Sequence, residues 1–156
     1  MSTLSVDTIQ GQTAAAKVHM AGAVLQIQQG TNATQMTATD SYADTGLSVA
    51  ITPKFASSKI FIQFCQSIYF NYNGCAIRIL RDSTPITTPS QNYQFHDSGN
   101  TSSTNFRTVA NYQFLDSPNT TSAITYKTQI IRHGGVTVYA NADNQPAFIT
   151  VMEIAQ

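Results

Sequence analysis

The run Lys59–Phe70, KIFIQFCQSIYF, restricts the possible folds of this chain more than any other stretch. Ile60, Ile62, Phe64, Ile68 and Phe70 fall on one side of a two-residue repeat, with Gln66 as the polar exception. Phe61, Gln63, Cys65, Ser67 and Tyr69 fall on the other side and form a mixed set. Alternation of β-branched and aromatic residues with period two describes a strand with one buried face. A shorter strand precedes it, because Leu47, Val49 and Ile51 alternate with Ser48 and Ala50. Pro53 then removes a ladder donor, and residues 54–58 supply a polar connection.

The same pattern recurs along the chain. Residues 24–27 suggest a first strand, and 30–40, rich in Thr, Asn and Gln, read as a loop or a strand of low hydrophobicity. Asn73-Gly74 is a hairpin signal, with residues 75–81 as the return strand. Tyr93 and Phe95 alternate briefly before a polar loop. Phe106, Thr108, Ala110, Tyr112 and Phe114 then share a face, and residues 116–119 turn the chain by composition. Ile124, Tyr126 and Ile130 mark the next strand, His133-Gly134-Gly135 a turn into 136–140, and residues 141–146 a turn into 147–155. With several short strands and no convincing helix, the expected body is an all-β antiparallel sandwich or jelly roll spanning residues 24–156.

Residues 1–23 differ in character. Leu4, Val6 and Ile9 punctuate a polar stretch that could not build a core of its own. We read it as an extended N-terminal arm whose anchoring residues, Leu4, Val6 and Ile9, dock on a partner.

Charge is sparse, at 10% Asp, Glu, Lys and Arg against about 25% in a typical soluble domain, and Ser, Thr, Asn and Gln exceed a third of the chain. The formal net charge of zero argues against nucleic acid as a partner, since phosphate binding needs surplus Lys and Arg. It also leaves little repulsion between copies, favouring self-association. The apolar segment 18–27 is interrupted by His19, Gly22 and Gln26 and is too short to span a bilayer, so no membrane insertion is expected. Cys65 and Cys75 flank the 71–74 turn; if it is centred near Tyr72–Asn73 they do not lie opposite each other and read as two buried free thiols, whereas a register shift would bring them close enough for a disulfide.

Nothing in the chain announces a catalytic chemistry. His19, His96 and His133 lack metal-ligand spacing, and no nucleophile elbow or phosphate-binding loop is present, so neither enzyme, metal nor cofactor is expected. Tyr69, Tyr72, Tyr93, Phe95 and Phe106 lie in or near loops, where aromatic rings can stack on sugars. Candidate surface-binding residues are therefore Tyr72, Asn73, Tyr93, His96, Asn100 and Phe106.

Asp44-Thr45-Gly46-Leu47, Ile51-Thr52-Pro53 and Ser57-Ser58-Lys59-Ile60 resemble a module of bacteriophage virion proteins, especially marine and cyanophage ones of tail-fibre type. Leu115-Asp116-Ser117-Pro118, Thr125-Tyr126-Lys127-Thr128, the terminal Ile149–Ile154 run and the opening Ser2-Thr3-Leu4 with Val6–Gln10 are similar too. The resemblance implies a homotrimeric knob on the virion surface, on a tail fibre or the capsid exterior. Its implied partners are other virion proteins of tail, baseplate or capsid, and a host surface glycan or protein. A capsid decoration protein clamping neighbouring capsomers is the alternative it leaves open.

Overall fold

In the computed structural model residues 20–97 and 105–156 are described; Leu4, Val6, Ile9 and Asn100 lie outside them. β4 (Lys59–Phe70) is the spine of the first sheet. One edge pairs along its length with β8 (Phe106–Asp116), from Ile60 opposite Asp116 to Phe70 opposite Phe106. The other edge is shared by β11 (Ala147–Ile154), opposite 59–65, and β10 (Val138–Ala140), opposite 68–70. Outside these lie β1 (Val24–Asn32) against β11 and β2 (Met36–Thr37) against β10. The first sheet is thus four strand widths across: β1/β2, β11/β10, β4, β8.

In the second sheet β3 (Ala43–Ile51) pairs with β9 (Ile124–His133), and β9 with β5 (Asn73–Arg81). Beyond β5, β6 (Thr84–Pro85) and β7 (Phe95–Asp97) lie end to end. All pairings are antiparallel, and the sheets pack face to face as a β-sandwich. Ile60, Ile62, Phe64, Ile68 and Phe70 of β4 are buried, as the alternation requires, against Leu47, Val49, Ile77, Ile79 and Ile130 of the other sheet. Each such side chain stabilises the fold by about 1.5–3 kcal/mol through removal from water.

Gln66, the polar residue of that run, is fully buried and serves as a bridge. Its amide N–H donates to Asn141 Oδ1 at 2.8 Å, and its Oε1 accepts from the Thr128 hydroxyl at 3.1 Å. Thr128 lies 2.6 Å from the Thr45 hydroxyl. The chain of bonds ties β4 to β9 and β3 through the middle of the core. Thr45 can join because β3 bulges there: between Asp44 opposite Gln129 and Ser48 opposite Lys127 extra residues are accommodated, with Gly46 at φ 82°. Gly30 allows the backbones of β1 and β3 to close one side of the sandwich, since a Cβ there would collide with the Ser48 carbonyl.

Several expected turns have a different role. Asn73-Gly74 does not make a hairpin: β4 and β5 lie in different sheets. Both edges of β4 are occupied by β8, β10 and β11, so the chain leaves the sheet through Asn73 at φ 54° and Gly74 at φ 153°. The turns after β8 and β9 cross between sheets in the same way, and the tight hairpin lies instead at Asp82, between β5 and β6. Residues 141–146 do not reverse the chain, since β10 and β11 run along the same edge of β4. They are an excursion with Asn141, Asp143 and Asn144 at positive φ. Cys65 and Cys75 are free as expected, but Cys65 is exposed, because it lies on the outward face of its sheet. Cys75 is buried, which pushes its thiol up to about 12. The first strand is also longer than 24–27, reaching Asn32.

The strands define two poles. At the basal pole lie Lys59, Asp116, Arg81 and Ile154, and here Gly22 N–H donates to the Ala155 carbonyl at 2.8 Å. At the apical pole, a β4 length away, lie Phe70, Phe106, Gly74, His96 and His133. Two basal carboxylates, Asp116 and Glu153, are buried and well supplied with donors. Asp116 accepts from Arg81 Nη1 at 2.8 Å and from the Tyr126 hydroxyl at 2.7 Å, joining β8 to both β5 and β9. Glu153 accepts from the backbone N–H groups of Lys54 and Phe55 at 2.7 and 3.2 Å and from the Gln26 amide at 2.6 Å. Burial alone would raise the Glu153 carboxyl. The Gln26 amide and the two backbone N–H groups outweigh it and hold the group below its ordinary value.

Candidate functional site

The apical pole gathers most of the candidate binding residues that the structure describes. It is built on connections that cross between sheets, which is why it is rich in glycine and asparagine: Asn73, Gly134 and Gly135 all have positive φ. Two crossings are clamped together, for Asn71 N–H donates to the Thr137 carbonyl at 3.3 Å while Thr137 N–H donates to Asn71 Oδ1 at 3.0 Å. A third apical connection, between β2 and β3, is tied to β9 by Arg132. Its backbone N–H donates to the Thr39 carbonyl at 3.0 Å, and its guanidinium forms a two-pronged pair with Asp40 at 2.9 and 3.0 Å. That pair holds the Asp40 carboxyl below its usual range.

On this frame the candidate residues divide into two clusters. Tyr93, His96 and His133 form the first. The Tyr93 ring stands 5.1 Å from the His96 imidazole and 4.9 Å from that of His133, and the imidazoles are 6.4 Å apart. Strand register produces the grouping, because His96 on β7 and His133 on β9 are both opposite Gly74 of β5, one on each side. Asn73, beside Gly74, belongs to the same corner and approaches Gly134 closely. Phe106 joins a different cluster, stacked on Phe70 with centroids 5.0 Å apart. Beside it Tyr69 donates to Asn105 Oδ1 at 2.6 Å and stacks on Tyr139 at 5.4 Å. Arg107 lies over the Tyr69 ring and pairs with Asp143 at 2.8 Å. Tyr72 is exposed at the crossing between β4 and β5.

Tyr72, Tyr93 and Phe106 are 37–47% exposed, high for rings of this size and a useful stacking surface for a planar or sugar-like ligand. His133 was not among the sequence candidates. No local signal identifies it, since its glycine neighbours suggest only a turn and its partners lie on another strand. Among the described residues no group of three His, Cys, Asp or Glu side chains could hold a metal ion. A side groove lined by Asn32, Gln35, Met36, Asp44 and Thr45 is also present. Its carboxylate is already engaged, Asp44 accepting from Lys127 Nζ at 2.7 Å and Gln129 Nε2 at 2.6 Å.

No protein-family model matches the chain, and no curated protein does.

Proposed function

We propose that this protein is a non-enzymatic structural component of a bacteriophage virion. In this reading it is a homotrimeric tail-fibre-type knob, held to the particle by residues 1–23 and turning its apical loops toward a host surface glycan or protein. The observation that carries the proposal is the separation of the poles. The chain enters the body beside Ala155 at the basal end, and the exposed aromatic clusters lie at the other end of β4, roughly 36 Å away at about 3.3 Å per residue. Attachment and recognition can then proceed without competing for surface. The sheet orders support reading the sandwich as a jelly roll: counting β1/β2, β6/β7 and β10/β11 as single strands gives 1-8-3-6 and 2-7-4-5, an architecture with two Greek keys found in capsid and lectin domains.

Virions produced with the full chain, or with a chain lacking residues 2–19, supply the test. Labelled antibody is expected to find the full chain on the particle, and the shortened one folded but left in solution. Incorporation of the shortened chain would overturn the role of the arm. The alternative reading is a capsid decoration protein, in which the same body clamps neighbouring capsomers. Copy number per virion separates the readings, because decoration sites far outnumber fibre sites.

A further inference from the structure

The ten exposed large hydrophobic side chains among the described residues are not scattered evenly: Val24, Ile27, Val109, Leu115 and Phe148 all lie on the outward face of the first sheet. Register aligns them with partly buried neighbours. Ile27, Met152, Phe61 and Leu115 are mutually opposite and form an apolar row across the sheet from edge to edge. The next row is Gln29, Thr150, Gln63 and Gln113, and the one after it Thr31, Phe148, Cys65 and Asn111. Between Lys59 at one end and Arg107 at the other, these rows hold no acid and no base.

The outward face of the second sheet is different. There Arg78 lies 3.8 Å over the Tyr42 ring and donates to Gln129 at 2.7 Å, while Lys127 pairs with Asp44 at 2.7 Å. A face meant to stay in water carries such groups. Depletion of charge, rather than bulk hydrophobicity, distinguishes the centre of an interface.

We infer that the outward face of the first sheet is the surface through which copies of this chain associate. Three arguments select a second copy as the occupant. A face without charge is complementary to itself, whereas it offers nothing to select an acidic or basic partner. A chain of zero net charge does not repel its copies. The area also suffices: four strands at about 4.8 Å and some ten residues at about 3.3 Å span roughly 600 Å² in projection. Side-chain relief brings that close to ~800 Å², about what one partner contributes to a stable interface, and in a ring this is the total each copy gives to its two neighbours. Because the apolar row reaches both β1 and β8, the β8 side of one copy can meet the β1 side of the next around a closed axis. The inference rests on the proposed self-assembly and adds the surface responsible.

Cys65, central on this face, is a built-in reporter beside the buried Cys75. The experiment combines sedimentation of the full chain over a range of concentrations with the reaction of its native thiols toward a disulfide dye. The expected result is an oligomer in which Cys65 reacts at least about tenfold more slowly than in the dissociated chain. Gln63→Lys should release monomers with a fast Cys65, and Ala50→Lys, the same charge on the opposite face, should leave the oligomer intact. Circular dichroism checks that both variants fold, and the protection of Cys65 in the unaltered chain needs no variant. A monomer at every concentration would overturn both this inference and the proposed self-assembly. An oligomer with a fast Cys65, or one indifferent to Gln63→Lys, would overturn the choice of face alone.

Discussion

At the basal pole, Asp116 and Glu153 lie beneath the core with donors on their carboxylate oxygens, and each fixes a connection between strands. At the apical pole the same strands end in exposed rings and imidazoles, held by backbone bonds, ring contacts and the ion pairs Arg132–Asp40 and Arg107–Asp143, which are open to water. The difference shows how a chain with so few charges divides its labour. Buried carboxylates are used where loops must not move, because a buried acceptor that loses its donors is costly. Exposed rings, amides and ion pairs open to water occupy the other end.

The contrast breaks first at Asp116. Asp116→Ala strands the fully buried Tyr126 hydroxyl and frees Arg81, and urea unfolding should show a loss of about 3–4 kcal/mol. Glu153→Leu removes the acceptor of two backbone N–H groups and of Gln26, with an expected loss of about 2–3 kcal/mol. Acid sharpens the same point. The Glu153 carboxyl is lowered in the fold, so its stabilisation is complete above the unfolded value of about 4.3 and disappears as pH falls through the lower folded one. The urea midpoint should therefore decline below about pH 4, and less steeply in Glu153→Gln. At the apical pole the effects shrink. Phe106→Ala, truncating a half-exposed ring, should cost about 1 kcal/mol, and Tyr93→Ala less than about 0.5 kcal/mol. A stability loss at Tyr93 as large as that at Asp116 would erase the distinction. In a glycan array with bacterial envelope polysaccharides, Tyr93→Ala should lose signal while keeping its fold.

What could be read in advance follows from range. The alternation in β4 is a local property, so its buried face was legible residue by residue, Gln66 included. Which strand β4 would pair with was not, because that depends on which edges remain free once β8, β10 and β11 are placed. Asn73-Gly74 has the same composition whether it reverses a chain within a sheet or carries it to the next. Asp116 reads as a turn residue, and only the cross-sheet arrival of Arg81 and Tyr126 makes it a bridge. Tyr93 and His96 were legible as loop candidates, whereas His133 joined them through register alone.

β11 follows every other strand in chain order, yet it lies between β1 and β4. A ribosome making this chain therefore releases the outer strands of the first sheet before the one that joins them. Until β11 emerges, β1 has no partner in its sheet and β4 presents a bare edge over residues 59–65, so the sheet closes only once β11 has left the ribosome and the nascent chain carries open, pairing-competent edges until then. Stalled or prematurely terminated products should be the form in which this protein aggregates.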